Sequence, residues 1–159
     1  MVWKNINKES RVLIDKLKLL SFKISAAESC TGGLLSSAIV NNSGASEAFE
    51  RSFITYSNEA KINILKINDN IIEEFGAVSK QTAYHMALSL LNNFSADVGI
   101  GITGIAGPNG GLKNKPVGLV WIGFGTKNKI TTKKFLFNGN RLDIRLSLIH
   151  ISEPTRLDG

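Results

Sequence analysis

The stretch FKISAAESCTGGLLSSAIV, residues 22–40, contains a strand, a polar turn and a helix in direct succession. FKISA (22–26) is typical of a short strand, and the apolar spacing in LLSSAIV (34–40) predicts a helix. Between them, AESCTGG (27–33) places an acid, two hydroxyls, a thiol and two glycines side by side. A strand that leads straight into a helix is the repeating unit of α/β domains, so we predict that class.

The rest of the chain continues the alternation of strands and helices. A helix is predicted before the opening strand by apolar residues at helical spacing: Val12, Leu13, Leu17 and Leu20. Further strands are predicted at RSFITYS (51–57), DVGIGIT (97–103) and a hairpin of VGLVWIGFGT (117–126) with ITTKKFLF (130–137). Two further helices are predicted at NEAKINIL (58–65), capped by Ser57 or Asn58, and at about 80–91, capped by Ser79.

Length and composition indicate a single globular domain. With 159 residues, 43% hydrophobic and 20% charged, the chain can bury one core but not two. No apolar run reaches the roughly 18 residues that span a bilayer, and the start lacks the apolar segment of a secretory signal. We therefore expect a cytoplasmic protein without membrane contact. One cysteine excludes an internal disulfide, and the absence of Cys/His clusters predicts no bound metal.

The formal net charge of +6 is compatible with an anionic ligand, but its distribution does not favour a nucleic-acid partner. Nucleic-acid-binding surfaces cluster their basic residues and add exposed aromatic side chains. Basic residues are instead scattered through the first segment: Lys4, Lys8, Arg11, Lys16, Lys18 and Lys23. We therefore expect these residues to form a solvated surface.

Three polar stretches lie at predicted junctions between elements: AESCTGG (27–33), TYSNEAK (55–61) and TGIAGPNGG (103–111). Junctions of strands and helices collect function in open α/β folds, because the sheet fixes side-chain positions and helix starts offer unpaired amides. The three stretches could therefore form one site. None matches the nucleophile elbow of α/β-hydrolases, a phosphate-binding loop or a Ser-x-x-Lys motif.

Each candidate residue also has an ordinary structural explanation. Ser29 or Thr31 could cap the following helix, and Cys30 could be a small buried hydrophobe. Tyr56 and Lys61 could be surface residues, and the glycines near position 107 could form only a turn. Taken singly, these residues do not favour function over structure.

Taken together, longer strings resemble one family. Five strings resemble, in the same order, the C-terminal domain of the competence/damage-inducible protein CinA, the nicotinamide mononucleotide deamidase family. They are AESCTGGLLSSAI (27–39), GASEAFERSFITYSNEAK (44–61), FGAVS (75–79), GITGIAGPNGG (101–111) and KPVGLVWIG (115–123). The resemblance covers about residues 24–145. It implies a single-domain three-layer α/β/α sandwich with a mixed sheet, similar to the stand-alone form of a family that is often fused behind a nucleotide-binding domain.

The resemblance also implies an activity and its residues. The activity is hydrolysis of the carboxamide of nicotinamide mononucleotide to nicotinic acid mononucleotide and ammonia, a step of pyridine nucleotide salvage that uses no metal or other cofactor. The family's catalytic residues correspond to Ser29, Tyr56 and Lys61. Its substrate site includes positions that correspond to Thr103 and to a late arginine, Arg141 or Arg145. From the residues of the turn and of the glycine-rich loop, we also expect the substrate to be bound at Thr31, Gly32, Gly33, Gly104 and Gly107. The family's GDR string is GNR (139–141) here, so Asn140 replaces the expected aspartate.

The chemistry assigns a role to each part of AESCTGG and TYSNEAK. Attack on a carboxamide needs an activated nucleophile, donors for the oxyanion and a proton for ammonia. We expect Ser29 to attack, Lys61 to be its base and Tyr56 to relay or donate a proton. Lys61 must then have a pKa below the usual value of about 10.4, lowered by the dipole at a helix start and by burial. Gly32 and Gly33 would keep side chains away from the substrate. The amides of the turn and of the following helix start would hold the oxyanion or the phosphate. Glu28 would be a structural hydrogen-bond partner rather than a base.

The C-terminal segment departs from the family pattern. The family continues after Arg145 in an amphipathic helix, which Pro154 in SLIHISEPTRLDG (147–159) would break. We therefore divide the chain into a domain of residues 1–145 and an atypical tail of residues 146–159. The chain is expected to be non-native or frayed from about Leu146.

Two other functions are compatible with the sequence. A domain of this kind could bind a pyridine nucleotide without turnover, and measured ammonia release would separate that role from catalysis. The family name also suggests an interaction role in DNA uptake or repair, which salt-dependent DNA binding would test. The expected partner is the small-molecule substrate, and a homo-oligomer is also compatible with the sequence.

Overall fold

The computed structural model describes residues 2–152, in which helices and strands alternate. The helices are α1 (Val2–Leu20), α2 (Leu34–Val40), α3 (Asn58–Asn63), α4 (Asp69–Phe75), α5 (Lys80–Asn93) and α6 (Arg141–Ser152), with a 3-10 turn at Ala45–Glu47. The strands are β1 (Ile24–Glu28), β2 (Phe49–Ile54), β3 (Val98–Gly104), β4 (Leu119–Thr126) and β5 (Lys129–Leu136). This alternation confirms the predicted α/β class.

The five strands form one mixed sheet in the order β2, β1, β3, β4, β5. Strand β1 is parallel to β2 and to β3, whereas β4 is antiparallel to β3 and to β5. Every residue of β1 is buried, which is typical of a parallel strand covered on both faces. The carboxyl ends of three strands therefore meet at one edge of the sheet, where Glu28 is in register with Ile54 and Ile102.

Helices cover both faces of the sheet and confirm the predicted three-layer sandwich. Successive residues of a strand point to opposite faces. Accordingly, Ala26 packs in a core with α1, α2 and α6, whereas Ala27 packs in a second core with α5. Helix α5 lies close to the sheet because a strand glycine faces it: a Cβ at Gly101 would lie 2.5 Å from the Cβ of Met86.

Most predicted elements lie within a few residues of their predicted bounds, and their caps agree with the sequence. The hydroxyl of Ser79 accepts a hydrogen bond from the amide of Thr82 at 3.1 Å, as predicted for the start of α5. Of the two candidates at α3, Ser57 is the cap, since its side chain accepts from the amide of Ala60. Helix α4 has no counterpart among the predicted elements.

The predicted fraying from Leu146 is wrong for residues 146–152. Helix α6 continues to Ser152, so the boundary placed after residue 145 falls inside a helix. The side chains of Leu148 and Ile149 are fully buried, at 0% exposed. Burying a leucine or isoleucine contributes about 1.5–3 kcal/mol, which outweighs the tendency of a helix end to fray. Pro154 and the rest of residues 153–159 lie outside the described part of the chain.

Candidate active site

The Ser29 turn, residues 29–33, connects the carboxyl end of β1 to α2. Its glycines, Gly32 and Gly33, have φ angles of 57° and 100°, a left-handed conformation that is costly for residues with a side chain. A Cβ at Gly32 would lie 3.3 Å from the guanidinium of Arg145, and one at Gly33 would lie 3.3 Å from the side chain of Ile54. The turn therefore needs glycine for its backbone conformation and for packing against these two side chains.

Glu28 is buried at the end of β1 and caps the start of α2. Its carboxylate accepts hydrogen bonds from the amides of Leu35 and Ser36, at 2.9 and 3.0 Å, and from the Ser36 hydroxyl at 2.6 Å. The amide of Leu34 donates to the carbonyl of Thr31. The expected use of helix-start amides to hold oxyanion or phosphate is therefore wrong, because protein acceptors already occupy them. Glu28 has the structural role that was expected of it.

Lys61 reaches Ser29 from α3. Its Nζ donates to the Ser29 Oγ at 3.1 Å and to the carbonyls of Thr55 and Tyr56, at 2.9 and 3.1 Å. Lys61 is only 1% exposed, and this burial lowers its pKa to about 8. The dipole of α3 was also expected to lower the pKa of Lys61, but it does not. Ser57 caps the six-residue α3, so Lys61 lies in the last turn of the helix rather than at its positive end.

Tyr56 contributes its backbone, rather than its hydroxyl, to the contact between Ser29 and Lys61. Its carbonyl accepts from Lys61 and lies 3.4 Å from the Ser29 hydroxyl, which donates to it. The side chain of Tyr56 is 58% exposed, and its hydroxyl accepts a hydrogen bond from Arg141 at 2.9 Å. Within residues 2–152, the expected proton relay therefore has no direct hydrogen bond from this hydroxyl to Ser29 or Lys61.

Cys30 is buried beside the candidate nucleophile. Burial raises the pKa of its thiol to about 12, so the thiol stays protonated at neutral pH. Because the thiolate is the reactive form of cysteine, this environment favours Ser29 over Cys30 as the nucleophile. The interpretation of Cys30 as a small buried hydrophobe agrees with its 6% exposure.

The two late arginines lie four residues apart on α6, a spacing that places both side chains on one face. Arg141 lines the pocket and donates to the carbonyl of Gly107 at 2.6 Å. Arg145 donates instead to the carbonyls of Cys30 and Thr31, at 3.0 and 3.1 Å. Of the two candidates for substrate binding, Arg141 therefore lies at the pocket and Arg145 lies on the Ser29 turn.

One wall of the pocket comes from the segment between α4 and α5, for which the sequence predicted no site residue. Ala77 and Val78 line the pocket there. Thr103, a predicted site residue, also lines the pocket, and its hydroxyl donates to the carbonyl of Ala77 at 2.7 Å. Thr103 thus holds this wall in place. The sequence feature that could have indicated this wall was FGAVS (75–79). It belongs to the family resemblance, although its residues have no obvious reactive group.

Together these residues enclose a pocket of ≈ 190 Å³ at the carboxyl edge of the parallel strands. Its lining residues come from all three polar stretches, from the wall segment and from α6: Ser29, Cys30, Tyr56, Lys61, Ala77, Val78, Thr103, Gly104, Ala106 and Arg141. The other predicted binding positions lie around the pocket without lining it, within the described chain: Thr31, Gly32, Gly33, Gly107 and Arg145.

No helix within residues 2–152 is both long and apolar enough to cross a membrane. Over the same residues, no group of three or more His, Cys, Asp or Glu side chains is placed to hold a metal ion.

Comparison with known proteins shows the family. The family model of the CinA C-terminal domain matches residues 6–152. The chain belongs to the CinA C-terminal domain family. The match extends beyond Arg145 to the end of α6, so this helix is part of the CinA domain.

Relatives of the CinA domain differ in length and in name. The nicotinamide-nucleotide amidohydrolase PncC of Enterobacter agglomerans is 44% identical over 142 residues, which cover 89% of this chain and 87% of that protein. A CinA-like protein of Kosmotoga olearia is 45% identical over 134 residues, or 84% of this chain and 32% of that protein. This chain likewise spans about a third of the length of several other curated relatives.

Solved structures confirm the fold. The competence/damage-inducible protein CihA from Agrobacterium tumefaciens superposes with a TM-score of 0.93 at 35% identity, covering 97% of this chain and 94% of that chain. A CinA superfamily protein from Enterobacter cloacae superposes with a TM-score of 0.91 at 31% identity, covering 96% and 90%. The mixed five-stranded sheet with its helices is thus the fold of the CinA family.

Proposed function

We propose that this chain is a nicotinamide-nucleotide amidohydrolase, which converts nicotinamide mononucleotide to nicotinic acid mononucleotide and ammonia. The observation that carries the proposal is the 3.1 Å contact between the buried Nζ of Lys61 and the Oγ of Ser29. A buried amine of lowered pKa beside a hydroxyl is an arrangement that activates a serine for attack. The name of the Enterobacter agglomerans relative supports the choice of substrate.

The three hydrogen-bond partners of Lys61 match an ammonium and can also hold the neutral amine that a base must be. A neutral amine has two N–H donors and one lone pair. The carbonyls of Thr55 and Tyr56 can accept both donors, and the lone pair can then accept the proton of Ser29 once its hydroxyl turns from the Tyr56 carbonyl toward Nζ. With its pKa lowered to about 8, a useful fraction of Lys61 is neutral slightly above neutral pH. Lys61 is therefore the base of the proposed reaction.

In the first half-reaction, the Oγ of Ser29 bonds to the carboxamide carbon while its proton passes to the Nζ of Lys61. The π electrons of the carbonyl move to its oxygen and give a tetrahedral intermediate. When this oxygen re-forms the carbonyl, the C–N bond breaks and Lys61 gives its extra proton to the departing nitrogen. Ammonia leaves, and the pyridine carboxyl remains as an ester on Ser29.

In the second half-reaction, water attacks the ester and gives a proton to the neutral Lys61. The bond between the carbon and the Oγ of Ser29 then breaks, and Lys61 returns the proton to Ser29. The net reaction consumes one water and converts one carboxamide to an acid and ammonia. Ser29 and Lys61 end in their starting protonation states.

The pocket also offers a cation for the substrate, and the adjacent Ser29 turn offers amide donors. The amides of Thr31 and Gly33 have no hydrogen-bond acceptor within residues 2–152, so they are available to an oxyanion. Arg141 lines the pocket and suits the substrate phosphate, because a guanidinium binds phosphate oxygens in pairs. The apolar side chains of Ala77 and Val78 suit the flat face of a pyridine ring.

The test is incubation of the protein with nicotinamide mononucleotide, with separate detection of ammonia and of the acid product. Wild-type protein should release the two in equal amounts. Ser29→Ala should lower kcat by about 10³-fold or more while substrate still binds in calorimetry, because only the attacking hydroxyl is lost.

Cys30→Ala is the matched control, because it alters the neighbouring thiol and should keep most of the wild-type kcat. An inactive Cys30→Ala beside an active Ser29→Ala would show that the nucleophile is misassigned. A folded wild-type protein that binds the nucleotide without releasing ammonia would instead identify a binding domain.

A further inference from the structure

Arg145 is bound to the backbone of the Ser29 turn. Its Nε donates to the carbonyl of Cys30 at 3.0 Å, and a terminal nitrogen donates to the carbonyl of Thr31 at 3.1 Å. A guanidinium is a rigid planar fork, so bonds to two consecutive carbonyls restrict both their positions and their directions. These contacts join residues 115 and 114 positions apart and tie α6 to the turn.

The same bonds set the directions of amides in the turn. A trans peptide unit is planar, and its N–H points opposite to its C=O. The carbonyl of Cys30 therefore fixes the amide of Thr31, which is one of the available oxyanion donors. In the same way, the carbonyl of Thr31 fixes the amide of Gly32, which donates to the carbonyl of Ser29 at 3.1 Å. Arg145 thus orders the backbone on which Ser29 stands.

The turn has the shape and the charge environment for this arginine. A Cβ at Gly32 would lie 3.3 Å from the terminal nitrogen of Arg145, so glycine lets the guanidinium lie against the backbone. None of the ion pairs within residues 2–152 includes Arg145. Its positive charge therefore acts on the turn itself.

We propose that Arg145 is a positioning residue of the amidohydrolase reaction, which holds Ser29 and the Thr31 amide in the geometry of attack through the carbonyls of Cys30 and Thr31. This inference rests on the proposed function. Arg141, one turn earlier on the same face of α6, contacts the pocket instead. The two arginines therefore divide two tasks, so the loss of Arg145 should lower kcat and the loss of Arg141 should raise KM.

Kinetics of Arg145→Ala, Arg145→Lys and the matched variant Arg141→Ala test this division. Arg145→Ala should lower kcat about 10- to 100-fold with little change in KM, because a misplaced nucleophile slows the chemical step. Arg145→Lys should have an intermediate kcat, because a lysine can satisfy only one carbonyl at a time. Arg141→Ala should raise KM by about tenfold or more, the equivalent of at least about 1.4 kcal/mol of binding.

A second measurement is the rate at which a small neutral fluorophosphonate modifies Ser29. This probe contains no nucleotide, so its rate reports the reactivity of the serine without substrate binding. The rate should fall in Arg145→Ala by a factor similar to the fall in kcat, and should stay near the wild-type value in Arg141→Ala. Added ethylguanidine should restore part of both kcat and the labelling rate in Arg145→Ala, which also shows that the variant is folded.

Other outcomes separate this inference from the proposed function. A raised KM in Arg145→Ala, with unchanged kcat and labelling, would show that Arg145 binds the substrate and would overturn the positioning role. Loss of thermal stability and activity without rescue by ethylguanidine would show a purely structural role. If wild-type Ser29 is labelled but no ammonia is released, the proposed function fails, whereas slower labelling of Arg145→Ala still supports positioning. If neither reaction occurs, both proposals fail together.

Discussion

Lys61 holds an amine in the protein interior, where an isolated charge is costly. At 1% exposed, it can be neutral or can satisfy its donors with protein oxygens. The carbonyls of Thr55 and Tyr56 provide those oxygens, and burial lowers its pKa to about 8. The balance between the two effects leaves Lys61 able to change protonation state near neutral pH. A base that must take a proton from Ser29 and return it to a leaving group needs this property.

The pH dependence of activity follows from that pKa. Only neutral Lys61 accepts the proton of Ser29, so kcat/KM should rise about tenfold per pH unit below pH 8 and level off above it. Activity is thus lost as the pH falls through 8. Lys61→Arg keeps its charge at every accessible pH and should be nearly inactive throughout. Initial rates of ammonia release by wild type and by Lys61→Arg, between about pH 6 and pH 10, test both expectations. A flat profile, or substantial activity in folded Lys61→Arg, would contradict the role of Lys61 as base.

At single residues, the sequence predicted which residues lie together better than how their side chains are oriented. The family strings gave Ser29 and Lys61 as partners, and they lie 3.1 Å apart. The same strings gave Tyr56, yet its hydroxyl contacts Arg141 while its carbonyl contacts Lys61. Which part of a residue faces a site depends on the path of the backbone, and a short motif does not encode it. The burial of Lys61 likewise comes from the packing of distant elements. The sequence therefore could not show that burial, rather than the helix dipole, lowers the pKa of Lys61.

Among the elements, α6 connects the core to both arginines. Leu148 lies in the core shared with α1 and α2, and Arg145 lies on the same helix one turn before it. The sequence prediction of a frayed tail gave weight to Pro154 and none to the burial of apolar residues before it. Helix breakers act locally, whereas the core that contains Leu148 is assembled from elements throughout the chain, α1 and α2 among them. Anchoring of α6 is therefore a long-range property.

Leu148→Ala should measure the strength of this anchor. Removing a fully buried leucine costs about 2–5 kcal/mol, because apolar burial is lost and a cavity remains. Leu142→Ala on the same helix is the control, since Leu142 is 54% exposed and its truncation should cost less than about 0.5 kcal/mol. Urea unfolding of the two variants gives the comparison. Equal stabilities would show that the second half of α6 does not anchor the domain.

The loop between β3 and β4 contains two glycines of similar conformation and different surroundings. Gly107 and Gly110 have φ angles of 76° and 91°, so alanine is strained at both positions. A Cβ at Gly107 would overlap the side chain of Val117, whereas one at Gly110 would be 3.8 Å from the nearest side chain, that of Ile105. The carbonyl of Gly107 also accepts a hydrogen bond from Arg141. Of the two glycines, only Gly107 therefore connects the loop conformation to a pocket residue, Arg141.

Alanine substitution at these two glycines should separate strain from site geometry. Gly107→Ala should raise KM by about tenfold, equivalent to about 1.4 kcal/mol, because the loop shifts and Arg141 loses its position. Gly110→Ala carries the same backbone strain and should leave KM near the wild-type value. Steady-state kinetics on both variants measure the difference. Equal effects on KM would mean that the loop acts only as a connection.

For the whole molecule, the sequence predicted the layers and the general position of the site. The strand, turn and helix of residues 22–40 are present as β1, the Ser29 turn and α2, and the three polar stretches meet at one pocket. The pocket wall at Ala77 and Val78 was not predicted, because small apolar residues carry no chemical signal in a sequence. The contact of Arg145 with a turn 114 positions away was not predicted either, because only tertiary folding brings the two together.

The buried amine also gives the stability of the whole domain a defined pH dependence. The pKa of Lys61 is about 8 in the folded state and about 10.4 in the unfolded chain, so the unfolded chain binds more protons between these values. The free energy of unfolding should therefore rise with pH across this window and fall as the pH drops through it. Because Lys61→Met removes this titration, the stability of wild type relative to Lys61→Met should increase by about 1.4 kcal/mol between pH 7 and pH 9.

Denaturant unfolding of both proteins at the two pH values gives this difference. The comparison cancels groups that titrate in both proteins, including the thiol of Cys30, whose raised pKa acts in the opposite direction above pH 9. The result does not depend on any substrate, so it tests the protonation of Lys61 separately from catalysis. If the relative stability is the same at both pH values, Lys61 keeps an ordinary pKa in the folded protein. The proposed base would then be charged at neutral pH, and Ser29 would need another proton acceptor.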